Sequence, residues 1–88
     1  MTISEHFARR LMEAGVLNTH LQRSVDPDSE DDEVTFAGVN GEISVQIGSD
    51  TDGFYFTFED SNAAILGTKA TIEDAVRFAR SLAIIHLN

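Results

Sequence analysis

Six carboxylates crowd into the eight residues Asp26-Pro27-Asp28-Ser29-Glu30-Asp31-Asp32-Glu33. Side chains of this type at this density do one of three things: stay solvated as a self-repelling, extended linker, gather a hard cation such as Ca²⁺ or Mg²⁺, or dock on Arg and Lys of a partner. A second acidic constellation, Asp50-Thr51-Asp52-Gly53 with Glu59 further on, has the spacing of the later half of an EF-hand loop. Its first-ligand position is Gly48, which has no side chain, and its flanks alternate like strands. A hairpin turn accounts for the same residues, and no metal or cofactor is expected. His6, His20 and His86 stand far apart, in no metal-binding spacing. Gly67-Thr68-Lys69 lacks the preceding glycine of a phosphate loop, and there is no Gly-x-Ser-x-Gly nucleophile elbow. No catalytic signature is present, so the chain reads as a non-enzyme.

The charge is unevenly spread. Between Arg23 and Lys69 there is no Lys or Arg, while eleven of the fifteen carboxylates fall there. A net charge of −9 disfavours nucleic acid and anionic membrane as direct partners, because both need clustered cations. A basic protein surface is the natural complement, and acidity serving solubility alone is the competing account.

These groups must be carried by a small fold. Eighty-eight residues, 42% of them hydrophobic, suit a single domain spanning 1–88 with one core. There is no cysteine, so packing or self-association must support it. The start, Met1 to Glu5, has neither a basic nor an apolar leader segment, and no apolar run is longer than four residues, as in Leu82 to Ile85. A soluble, cytoplasmic protein is the expectation.

Ile3, Phe7 and Leu11 recur at helical spacing behind the capping-box pattern Thr2-Ile3-Ser4-Glu5, predicting a helix over about 3–14 closed by Gly15. For Asn18 to Val25, Leu17, Leu21 and Val25 at four-residue intervals favour a short second helix over an extended segment. From Val34 the period becomes two: Val34 and Phe36, then Ile43, Val45 and Ile47, then Phe54, Phe56 and Phe58. Asn40-Gly41 predicts a type I′ hairpin that sets Phe36 opposite Val45 and Val34 opposite Ile47. The turn Asp50-Thr51-Asp52-Gly53 sets Ile47 opposite Phe56 and Val45 opposite Phe58. Ala63 to Leu66 adds a short further strand. Thr71 opens a last helix whose apolar stripe is Ile72, Ala75, Val76, Ala79 and Leu82, and Ile84, Ile85 and Leu87 continue it as a greasy end, a candidate homodimer contact.

The predicted fold is α+β, an antiparallel meander covered on one face by the N- and C-terminal helices, with a mobile acidic loop at about 26–33. The uncovered face then carries Glu33, Thr35, Glu42, Ser44, Gln46, Tyr55, Thr57 and Glu59. The helix–strands–helix order resembles the double-stranded RNA-binding domain in topology alone. That domain needs a basic helix start, whereas Glu73 and Asp74 open the last helix here. In size and charge the chain resembles the small acidic proteins with which phages and mobile elements block host nucleases, offering carboxylates in place of phosphates.

The function read from these residues is a small interaction protein that docks on a basic surface, as an inhibitor of a nucleic-acid-binding system by mimicry of nucleic acid. An immunity protein or antitoxin for a basic toxin and a structural homodimer are the alternatives. The partner-binding residues would be Asp28, Glu30, Asp31, Asp32, Glu33, Glu42, Asp50, Asp52 and Glu59, with Tyr55 as an apolar anchor.

Overall fold

The computed structural model describes residues 1–24 and 31–86. Helix α1 (Ile3–Glu13) starts where Thr2 accepts the Glu5 backbone N–H at 3.1 Å and Glu5 returns a carboxylate to the Thr2 backbone, closing the predicted capping box. It ends at Gly15, whose φ of +84° lets Val16 N–H reach the Leu11 carbonyl and Gly15 N–H reach that of Met12, both at 3.0 Å. This is a Schellman end, and it turns Val16 into the core beside Leu11. Helix α2 (Ile72–Leu82) is opened by Thr71, which accepts from the Asp74 backbone.

Five antiparallel strands lie between the helices in sequence order: β1 (His20–Gln22), β2 (Asp32–Gly38), β3 (Gly41–Asp50), β4 (Gly53–Glu59) and β5 (Ile65–Lys69). The fold is therefore the predicted α+β meander. Val34, Phe36, Ile43, Val45, Ile47, Phe56 and Phe58 point to one face and are buried with Phe7, Leu11, Ala75, Val76 and Ala79 of the helices. Phe7 packs on Phe56 and on the edge of Phe58, and Phe58 meets Phe78 edge-on, with ring centroids 4.8–6.3 Å apart. The β3–β4 register is the predicted one, with Ile47 opposite Phe56 and Val45 opposite Phe58.

The other departures have local causes. Residues 20–22 form an edge strand instead of a helix: they pair antiparallel with β2, Leu21 facing Val34, and Asn18 at φ +58° turns the chain into that strand. Val25 of the expected helix lies outside the described residues. At the first hairpin Gly38 pairs with Gly41, so Val34 meets Val45 and Phe36 meets Ile43, two residues from the predicted register. Asn40 does not adopt positive φ, as a type I′ turn would require; Gly41 does, at +121°. The shift keeps every side chain on its face, since the strand period is two.

Strand β2 also begins at Asp32, taking Asp32 and Glu33 from the expected loop, with Asp31 just before it; residues 26–30 of that loop lie outside the described residues. The last strand runs on through Gly67 to Lys69, with a bulge against Phe58 and Glu59. After Leu82 the chain is extended, not helical: Ala83 bridges Gly38 and Ile85 bridges Val16. Among the described residues no helix is long and apolar enough to cross a membrane.

Candidate interaction face

Strand alternation turns a second set of side chains away from the helices. Glu33 lies opposite Gln46 and Thr35 opposite Ser44, while Gln46 faces Thr57, Ser44 faces Glu59, Gly48 faces Tyr55 and Glu42 faces Ala37. All eight residues predicted for the open face are on it. They form a connected polar surface. Glu33 accepts from Ser44 Oγ at 3.0 Å and from Gln46 Nε2 at 2.6 Å, so its carboxylate is fixed in the middle of the sheet by charge-assisted bonds.

Tyr55 lies over Gly48, where a Cβ would collide with the ring and its hydroxyl. The phenol donates to Asp31 at 3.2 Å. That hydrogen bond, the Asp31 charge, partial desolvation and the Asp50 charge together push the Tyr55 pKa above its usual value. The neutral phenol is thereby held as a donor that anchors the acidic entry to β2.

Every Lys and Arg lies on the other side of the molecule. Arg9, Arg10, Arg77 and Arg80 are on the helices; Arg23 pairs with Glu5 of α1, and Lys69 Nζ stands 4.7 Å from the Phe78 ring centroid. Arg10 joins the helices through a bidentate contact with Glu73, at 2.7 and 3.2 Å, which holds the Glu73 carboxyl below its usual pKa and the Arg10 guanidinium above its own. Arg10, Arg77 and Arg80 border a groove of about 480 Å³ floored by Val76. The fold thus separates charge across its thickness: carboxylates without Lys or Arg on the sheet side, all six Lys and Arg on the helical side.

The predicted partner residues divide accordingly. Asp31, Glu33, Glu42, Tyr55 and Glu59 share the open face. Asp50 and Asp52 sit at the β3–β4 turn, where Asp50 accepts the Asp52 backbone N–H at 2.8 Å. Asp32 has the parity of the core side, and its carboxylate accepts the Ser24 N–H at 2.9 Å. Asp28 and Glu30 lie outside the described residues.

The possible cation ligands Asp50 and Glu59 are at opposite ends of β4, since Asp50 pairs with Gly53 and Glu59 with Ser44; a strand of that length separates them by roughly 20 Å. Among the described residues no group of three His, Asp or Glu is placed to hold a metal.

Of the candidate dimer contacts, Ile84 is exposed, Ile85 packs inward against the core, and Leu87 lies outside the described residues. Sequence reasoning missed an apolar corner of the same face. Leu17, Ala37 and Ile84, from three distant segments, meet through a ring of backbone hydrogen bonds of 2.9–3.1 Å: Leu17 N to Ile84 O, Ile84 N to Ala37 O and Ala37 N to Leu17 O. Their chain neighbours Val16, Gly38, Ala83 and Ile85 point to the core, so alternation turns these three, with Val39, outward. No local pattern could reveal such a corner, because each segment supplies only one or two of its residues.

Comparisons with protein-family models, curated proteins and solved structures returned no match.

Proposed function

We propose that this is a non-enzymatic interaction protein whose open sheet face docks on a basic surface of a partner protein, of the kind that otherwise holds nucleic acid, and that it inhibits by occupancy. The observation that carries this reading is the separation of charge across the fold: Asp31, Glu33, Glu42 and Glu59 share a face with no Lys or Arg, while all six cations are gathered on or against the helices. Such a face attracts a basic partner in one orientation and repels it in the other. Strand-borne carboxylates are held rigidly, which favours orientation, and hydrogen bonds from Ser44 and Gln46 fix Glu33 further. The most perturbed group on the face, Tyr55, is shifted away from neutral pH, which suits a positioned donor better than a proton-transfer group.

The test is affinity capture at low and moderate salt with the wild type, a sheet-face variant (Glu42→Gln/Glu59→Gln) and a helix-side variant (Arg77→Gln/Arg80→Gln). One basic, nucleic-acid-binding protein should be recovered, in amounts that fall for the sheet-face variant alone. Equal recovery by all three would refute docking through this face.

A further inference from the structure

The apolar corner lies at one end of a largely polar, acidic face, whose far edge carries a further exposed apolar residue, Ile65, opposite Glu59. Val39 is 65% exposed, Ile84 42% and Leu17 38%, with the half-buried Ala37 between them. In the adjoining strand Glu42 lies directly opposite Ala37, and Glu59 lies one strand further on, opposite Ser44. A pure charge interaction would not need the corner, and a purely apolar one would not be flanked by carboxylates. The combination fits a partner that is apolar along one stripe and cationic beside it.

From this juxtaposition we infer that the apolar corner receives the apolar stripe of a basic amphipathic helix from the partner, whose Lys and Arg reach Glu42 and Glu59. The inference rests on the proposed docking of the acidic face. A helix is the element that ordinarily completes a sheet layer, as α1 and α2 do on the opposite side. A second copy of this chain is a poor occupant. Face-to-face pairing would bring Glu33, Glu42 and Glu59 of both copies together, and every Lys and Arg that might neutralise them lies on the far side of the fold.

The test uses the full chain, labelled with ¹⁵N and titrated with three synthetic 14-residue helical peptides: Leu/Lys, Ala/Lys of the same charge, and Leu/Glu. The Leu/Lys peptide should shift the amides of Leu17, Ala37, Val39 and Ile84 together with Glu42 and Glu59. It should bind about tenfold more tightly than Ala/Lys, the gain expected from burying a few apolar side chains. Val39→Ser/Ile84→Ser should erase that difference and leave Ala/Lys binding unchanged. Val39→Ser alone, at an exposed turn, keeps the test valid if the double variant folds poorly.

Equal binding of Leu/Lys and Ala/Lys, both still dependent on Glu42 and Glu59, would overturn this inference while leaving acidic docking intact. Binding of neither peptide at low salt would overturn both. Equal binding of Leu/Glu would remove the role of charge. A doubled mass of the free protein, lost in Val39→Ser/Ile84→Ser, would assign the corner to a second copy instead.

Discussion

Tyr55 lies across the backbone of Gly48 and donates its hydroxyl to Asp31 at 3.2 Å, so a side chain of β4 reaches over β3 to hold the entry of β2. The contact joins the acidic segment to the sheet, and it has a spectroscopic signature. Tyr55 is the one tyrosine, and there is no tryptophan to obscure it.

The phenol should therefore titrate above the ordinary tyrosine value of about 10 when followed by ultraviolet absorbance. Its folded-state pKa is raised, so the stability it contributes is present below the unfolded value and lost as pH rises through the folded one. Asp31→Asn removes the charge behind the shift and should bring the titration back toward the ordinary value. An unchanged titration in that variant would mean that the two groups are not paired in solution.

Gly48 is the reason that the ring can lie flat. Gly48→Ala should destabilise the wild type by about 1–3 kcal/mol, as overpacking does, measured by urea unfolding. In a Tyr55→Ala background the same change should cost less, because the added methyl then meets only the Asp31 carboxylate, 2.6 Å away, which is free to move once the phenol no longer holds it. Additive costs in this double-mutant cycle would separate the two residues.

Gly15 both caps α1 and receives the C-terminal segment, accepting the His86 N–H at 2.8 Å. Gly15→Ala meets two penalties: a left-handed backbone, about 1–2 kcal/mol for a residue with a side chain, and a Cβ only 2.5 Å from the His86 carbonyl oxygen. Thermal unfolding should show the loss, and hydrogen exchange should show the His86 amide losing protection. Retained protection at His86 would place the strain elsewhere.

The sequence carried the sheet because two signals agreed there: alternation from Ile43 to Phe58 and an Asp-Gly turn with one register compatible with it. It misplaced the first hairpin because a two-residue slip leaves every side chain on its face, so alternation is blind to it. The Gly38–Gly41 pairing that decides the register rests on the crossing of the C-terminal segment, where Ala83 bridges Gly38 and Val39 N–H bonds Leu82. Residues 20–22 make too short a strand to show a period, and Leu17, Leu21 and Val25 imitated a helix. The open acidic face was legible residue by residue. Its fixed points, Glu33 between Ser44 and Gln46 and Tyr55 on Gly48, and its apolar corner depend on tertiary contacts that no local pattern encodes.

The Arg10–Glu73 pair ties the helices together on the basic side. The Glu73 pKa is depressed chiefly by the hydrogen bond from Arg10, so its contribution to stability is present above the ordinary glutamate range and lost as pH falls through and below it. Glu73→Gln should flatten the acid limb of the stability profile without moving the Tyr55 titration. Unchanged acid sensitivity would show that other carboxylates dominate it.

The most direct test of one-sided acidic docking is the salt dependence of binding to the captured partner. It would be measured for the wild type, for Glu42→Gln/Glu59→Gln on the sheet face and for Glu73→Gln/Asp74→Asn on the helical side, each variant removing the same charge. The account predicts a shallower slope of log affinity against log salt for the sheet-face variant and an unchanged slope for the helix-side variant. Equal slopes for all three proteins would contradict it.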